Sequence, residues 1–137
     1  MSLMTFKEVQ KLEETCLKLY KIQGIHFAGI INSKGKLIAG GFCSKKIPYE
    51  KEKLSMIFLE LYLDYSMRRD FDSVLGKIGY MTTRREQTNV TTIPFNEDLI
   101  LIFSDPEVNA EDLVMISKNF FKDFFKNRNN SYHNSKK

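Results

Sequence analysis

The stretch Ile25–Phe42 reads IHFAGIINSKGKLIAGGF, and it decides the fold class. Two apolar runs flank the polar turn Asn32–Lys36, with β-branched and aromatic residues in the first run and glycines at the end of the second. This pattern is typical of a β-hairpin, with strands predicted over Ile25–Asn32 and Leu37–Phe42. Both faces of the first strand carry apolar side chains, so we expect both faces of the sheet to be covered.

Segments with helical periodicity lie on either side of this hairpin. The first helix is predicted over Phe6–Gln23, where one narrow apolar stripe ends before the stop signal Gly24. A last helix is predicted after Asn109, a suitable N-cap residue. Its predicted core stripe consists of Leu113, Ile116, Phe120 and Phe124, widened by Phe121 and Phe125.

The second helix, predicted over Glu50–Phe71, carries two apolar faces. The stripe expected to face the core consists of Leu54, Ile57, Phe58, Leu61 and Tyr65. The other stripe consists of Met56, Leu59, Leu63 and Met67. Such a helix is either enclosed within its own domain or packed on its sheet with one face and on another subunit with the other. Because so small a chain can hardly enclose a central helix, we expect a homodimer through the second stripe.

Three further strands are predicted over Ser73–Thr83, Asn89–Phe95 and Leu99–Ser104. The last of them is nearly all apolar, as is typical of a central strand with two covered faces. Pro94 cannot donate a backbone hydrogen bond, so we expect it near a strand end or an edge position. The predicted order of elements is therefore α-β-β-α-β-β-β-α.

This order and the residues FAGIINSKGKLIAGG at positions 27–41 resemble the Roadblock family, known from dynein light chains and prokaryotic regulators of small GTPases. The resembling parts are Phe27–Asn32, Gly35, Leu37–Gly41, Glu50–Phe71 and Ser73–Ser104. The resemblance covers about Phe6–Phe125, and profilin-like and longin-like folds share the topology. It implies an α+β fold with a single five-stranded antiparallel sheet and helices on both faces. It also implies a symmetric dimer through the helix after the hairpin and the third strand, and an adaptor or regulator rather than an enzyme.

Composition places the chain among ordinary globular domains. Of its 137 residues, 42% are hydrophobic and 28% are charged, and the net charge of +4 is too small to favour a nucleic-acid binder. We expect one domain over residues 4–126, an expression remnant at Met1–Leu3 and a disordered tail over residues 127–137. Without a signal peptide or an apolar run of ~20 residues, a cytoplasmic protein with free thiols is expected.

No motif for catalysis, a metal or a cofactor is apparent. His26, Cys16 and Cys43 lack the spacing of a zinc site, and the glycines match no phosphate-binding loop. The best candidate for an anionic ligand or an acidic partner is a set of cations, with Tyr80 as a possible extension: Arg68, Arg69, Lys77, Arg84 and Arg85. Alternative functions are a small-ligand sensor with a pocket between sheet and helix, and a weak nucleic-acid binder that uses these cations.

Overall fold

The computed structural model of the protein describes residues 4–43 and 49–125. The expectations for Met1–Leu3 and for the tail at 127–137 fall outside these residues. In chain order the helices and strands are α1 (Phe6–Tyr20), β1 (Ile25–Ile31), β2 (Leu37–Phe42), α2 (Lys51–Arg68), a 3-10 turn (Arg69–Phe71), α3 (Asp72–Leu75), β3 (Met81–Arg84), β4 (Asn89–Phe95), β5 (Asp98–Ser104), α4 (Ala110–Phe120) and a second 3-10 turn (Lys122–Phe124).

Side-chain caps fix the starts of two helices. The hydroxyl of Thr5 accepts a hydrogen bond from the backbone N–H of Glu8, and the Glu8 carboxylate accepts one from the N–H of Thr5, so α1 opens on a capping box. At α4, the side chain of Asn109 accepts from the N–H of Asp112 over 3.0 Å, as its N-cap position predicts.

The five strands form one antiparallel sheet in the order β2-β1-β5-β4-β3. The predicted α+β fold is confirmed, as is the central place of β5. Pro94 lies next to the last residue of β4. β3 pairs only with Asn89–Thr92, so it has no residue opposite Pro94. The missing backbone N–H of Pro94 therefore costs no hydrogen bond to β3.

Helices cover both faces of the sheet. On one face α1 and α4 enclose a core that includes Leu12, Cys16, Ile30, Phe95 and Phe121. On the other face α2 packs over a second core that includes Phe27, Phe58, Tyr62, Leu101 and Phe103. Both faces of β1 and β5 are buried, which explains why these strands read as apolar runs rather than alternating patterns.

The third strand is shorter than predicted. Ser73–Leu75 continues the helical turns after α2, residues 76–80 have no regular structure, and β3 occupies only Met81–Arg84. The predicted strand was wrong over Ser73–Tyr80 because the N–H of Gly76 donates to the carbonyl of Asp72 over 2.8 Å, which closes a helical turn. Gly76 then adopts a φ of 86°, which ends the helix.

Two helix ends and one core stripe also differ from prediction. α1 ends at Tyr20 rather than Gln23, and α2 gives way to a 3-10 turn after Arg68. In α4 the buried residues are Leu113, Val114 and Ser117, followed by Phe121, whereas Ile116 is exposed. The apolar pattern missed Ser117, which is buried because its hydroxyl donates to the carbonyl of Leu113 over 2.7 Å.

Candidate interaction surface

The helix α2 presents one apolar face to the sheet and another to solvent. Phe58, Tyr62 and Tyr65 are buried, and Tyr62 was missing from the predicted core stripe. On the opposite side lies the outer stripe, which we define by its four side chains and their exposed fractions: Met56 70%, Leu59 42%, Leu63 53% and Met67 64%. No helix or strand of the described chain covers these four side chains, and only Leu59 is touched by a turn, so they form an apolar surface along the helix.

Two contacts fix α2 on the sheet. The hydroxyl of Tyr62 donates to the carbonyl of Glu97 in the β4–β5 turn over 2.7 Å, and burial raises the pKa of this phenol. One turn earlier, the ring of Phe58 lies 5.6 Å from that of Phe27 on β1. These contacts orient α2 so that the outer stripe points away from the core.

The β1–β2 turn lies directly against the outer stripe. Gly35 has a φ of 73° and is buried, and a Cβ built on it would lie 2.6 Å from the Cα of Leu59. The side chain of Asn32 holds the turn by accepting hydrogen bonds from the N–H groups of Lys34 and Lys36 at 2.9 and 3.0 Å. The sequence predicted the turn but gave no signal that it contacts α2.

The apolar surface continues beyond α2. We call Arg69–Leu75 the extension. Val74 at 80% and Leu75 at 81% are more exposed than any side chain of the outer stripe, and Phe71 is 59% exposed. These residues were not predicted to be part of a surface, because Ser73–Leu75 was assigned to the third strand. Helical spacing was the available signal in the sequence, since Val74 follows Met67 by seven residues, the spacing that puts two residues on one face of a continuous α-helix.

The two edges of the sheet differ. On the β2 edge, the N–H of Gly40 donates to the carboxylate of Glu13 over 2.7 Å, and positive φ values at Gly40 and Gly41 make the strand irregular. Such features prevent pairing with another strand. The β3 edge has no such cover within the described chain, since β3 pairs only with β4.

The predicted set of cations is divided in the structure. All five cations are exposed. Arg84 pairs with Asn89 at the start of β4. The helix α2 contacts the other end of β4, where Tyr62 bonds to Glu97, and Arg69 follows Tyr62 by about two helical turns. Since β4 is about 20 Å long, Arg84 and Arg85 lie at the opposite end of the sheet from Arg68 and Arg69.

Each member of this set has its own surroundings. Arg68 donates from Nε to Asp64 over 3.1 Å, and the guanidinium of Arg69 lies 4.9 Å from the centre of the Tyr65 ring. Tyr80 turns toward α4, where its hydroxyl donates to Glu111 over 3.3 Å. The role predicted for these residues in binding an anion or an acidic partner stays a prediction.

The thiols and His26 are separate from the apolar surface. Cys16 is buried, which raises its pKa to about 12, so it is a protonated thiol at neutral pH. Cys43 is exposed, and Nε2 of His26 lies 2.5 Å from Oδ1 of Asp105. In residues 4–43 and 49–125 no three His, Cys, Asp or Glu side chains are grouped as metal ligands. Within the same residues, no helix has the length and apolar character of a membrane span.

Comparison with known protein families gives a match that covers all of the described residues. The model of a family of unknown function, DUF6659, matches residues 4–127. The chain belongs to the DUF6659 family. None of the curated proteins matches its sequence.

Solved structures show where the fold of this DUF6659 protein belongs. A Roadblock/LC7 domain from Streptomyces avermitilis superposes with a TM-score of 0.61 at 9% identity, covering 84% of this chain and 92% of that one. The gliding protein MglB from Thermus thermophilus gives 0.69 at 12% identity, with 88% and 89% covered. Myxococcus xanthus MglB gives 0.64 at 12% identity, with 86% of each chain covered. The predicted Roadblock-like fold is therefore confirmed for this DUF6659 protein.

Proposed function

We propose that this DUF6659 protein is a non-catalytic interaction module that acts as a homodimeric adaptor or regulator. The observation that carries the proposal is the outer stripe, whose four apolar side chains are exposed on the face of α2 opposite the core. Contiguous apolar surfaces of this kind are typical of interaction sites. In a two-fold dimer the stripe of one copy packs against the same stripe of the other.

The energetics favour such a dimer at moderate concentration. Full burial of one large apolar side chain is worth ~1.5–3 kcal/mol, and a symmetric interface counts each side chain twice. Lost translational and rotational freedom offsets ~4–15 kcal/mol of that gain. A surplus of this size is compatible with dimers at protein concentrations on the order of tens of micromolar, which is the range in which we expect them.

The open edge of β3 is a second surface for self-association. Its backbone groups are available on the side away from β4, whereas the β2 edge is closed by Glu13. Similarity to Roadblock-like structures, one of them MglB in a tetrameric arrangement, supports assembly of several copies. That structure shares 16% identity with this chain at a TM-score of 0.64.

Substitution within the outer stripe tests the dimer. Leu59→Glu or Leu63→Lys places a charge twice in the symmetric contact, so each variant is expected to sediment as a folded monomer. Leu17→Lys is the matched control, because Leu17 on α1 is 54% exposed and Leu63 is 53% exposed. A wild-type protein that sediments as a monomer at about 50 µM, well into the range expected for such an interface, would contradict the proposal.

The partner proposed for the dimer is a small GTPase or another protein in the cytoplasm. Resemblance to the Roadblock family supports a GTPase as the first class to test. The measurement is the rate of GTP hydrolysis by a small GTPase from the same organism, with and without the wild-type protein. Leu63→Lys serves as the control that separates an effect of the dimer from an effect of the single domain. If the small GTPases tested neither bind the protein nor change their rates of GTP hydrolysis in its presence, this part of the proposal is wrong.

A further inference from the structure

Two buried polar side chains lie opposite each other where β4 begins and β5 ends. Asn89 and Ser104 are directly paired in the sheet and are 5% and 1% exposed. Alternation along the strands places both side chains on the face that α1 and α4 cover, the face of Ile93 on β4 and Ile102 on β5. Polar groups buried at the border of an apolar core need hydrogen-bond partners, because each unpaired group costs stability.

The side-chain amide of Asn89 is fixed in one orientation. Its Nδ2 donates toward the carbonyls of Asp105, Pro106 and Val108 at 3.5, 3.3 and 3.4 Å. Carbonyl oxygens accept hydrogen bonds only from a donor, so the NH₂ group must face the β5–α4 loop and Oδ1 must point away from it. This Oδ1 is buried and makes no hydrogen bond within residues 4–43 and 49–125.

The hydroxyl of Ser104 is likewise buried without a partner in the described part of the chain. The carbonyl of the same residue is already bonded, since the hydroxyl of Thr88 donates to it over 2.9 Å. Directly opposite residues of an antiparallel pair have Cβ atoms about 4.5–5.5 Å apart, so the two unpaired oxygens are close neighbours. They are therefore placed to share one small ligand.

We propose that Asn89 and Ser104 bind one structural water molecule, which bridges Oδ1 of Asn89 and Oγ of Ser104. The water donates a hydrogen to Oδ1, which can only accept, and makes a second hydrogen bond to Oγ, which can donate or accept. Buried waters typically serve polar groups that the chain itself leaves unpaired. Because Nδ2 of the same amide holds the β5–α4 loop, the water becomes part of the joint between this loop and the sheet.

A metal cation does not fit the same place. Ca²⁺ takes about six to eight oxygen ligands, whereas Asn89 and Ser104 offer one neutral oxygen each. The loop carbonyls cannot complete such a set, because they face the NH₂ group of Asn89. A water molecule needs only roughly two to four hydrogen bonds, which this pair begins to supply.

Magnetic relaxation dispersion of the water oxygen nucleus tests the proposal, since it counts internal waters that stay bound for longer than the protein takes to tumble. Ser104→Ala removes one of the two partners and is expected to lose one long-lived water relative to the wild type. Ser117→Ala is the matched control, because Ser117 is a serine that is 0% exposed but whose hydroxyl already donates to the carbonyl of Leu113 over 2.7 Å. This control is expected to keep the wild-type number. An unchanged number in Ser104→Ala would overturn the proposal.

A crystal structure of the wild-type protein, at a resolution that shows ordered water, gives a test that does not depend on how the variants fold. The expected result is a water about 2.8 Å from both Oδ1 of Asn89 and Oγ of Ser104. A direct hydrogen bond between these two oxygens would show that the side chains satisfy each other, and the proposal would be wrong. The absence of an ordered water between them would contradict it equally.

Discussion

At Gly35 the absence of a side chain allows the β1–β2 turn to lie against α2. The turn could be predicted from its polar residues and its glycine, since those are properties of neighbouring residues in the chain. Its contact with Leu59 could not, because the two positions are 24 residues apart and no local pattern connects them. The same limit applies to Tyr62, whose partner is the carbonyl of Glu97.

Replacing Gly35 by Ala adds two costs at one residue, backbone strain and a steric contact with α2. Gly35→Ala is expected to lower the free energy of unfolding by about 2–4 kcal/mol, since a φ of 73° costs an L-residue ~1–2 kcal/mol and the new Cβ meets the backbone of Leu59. Gly76→Ala gives the cost of backbone strain without a close contact, because Gly76 has open space around it; its φ of 86° and ψ of 167° lie in a region that almost only glycine populates, so this cost is an upper bound for a turn glycine. Urea titration of both variants measures the difference. A loss for Gly35→Ala of no more than the ~1–2 kcal/mol of backbone strain would mean that the contact with α2 has no energetic weight.

Among the elements, those with a local signature were predictable and those that depend on distant contacts were not. The apolar runs of the hairpin and of β5 predict strands from the sequence alone, and the sheet has strands at those positions. Residues 73–80 contain the apolar Val74, Leu75 and Ile78, and this composition is compatible with a strand. The segment instead continues the helical turns after α2, and nothing within it alone decides between the two. The outer stripe was predicted from spacing, and its role as an interface stays a prediction.

The β3–β4 turn is the element on which the predicted set of cations can be tested. Arg84 and Arg85 are exposed, and the turn is closed by the backbone N–H of Arg85, which donates to the carbonyl of Thr88 over 3.1 Å. Because this bond uses no side chain, replacing both arginines by Ala is expected to change the free energy of unfolding by less than ~1 kcal/mol. Thermal unfolding measures the change. A larger loss would assign the two side chains a structural role, and loss of an anionic partner without loss of stability would support the predicted binding role.

Across the whole molecule, the two cores are divided by the sheet and differ in what surrounds them. The core under α1 and α4 is enclosed by two helices and by Phe121, Phe124 and Phe125. The core under α2 has a single helix as its cover, and that helix also carries the outer stripe. One face of the sheet is thus covered by two helices of its own chain and the other by one. A partner bound to α2 would supply the second helix on that other face.

Ionisable groups buried in both cores make the folded state sensitive to alkaline pH. Burial raises the pKa of Cys16 to about 12, and it also raises the pKa values of Tyr20 and Tyr62 above their ordinary range. In the unfolded chain these groups lose their protons first, so above about pH 9 the unfolded state binds fewer protons than the folded state. The free energy of unfolding is therefore expected to fall as pH rises from about 9 toward 12, by on the order of 1 kcal/mol per pH unit for each group that titrates.

Urea titrations between about pH 7 and pH 11 measure this loss, within the range where the thiol and phenols of an unfolded chain ionise. Tyr20→Phe provides the comparison, since it removes one titrating hydroxyl and its hydrogen bond to the carbonyl of Ala28, which is 3.1 Å long. That variant should be less stable than the wild type at neutral pH, because the carbonyl loses a partner. It should also lose less stability on going to alkaline pH, because one fewer proton is released on unfolding. Parallel pH profiles for the two proteins would show that the Tyr20 hydroxyl ionises as readily in the folded chain as in the unfolded one.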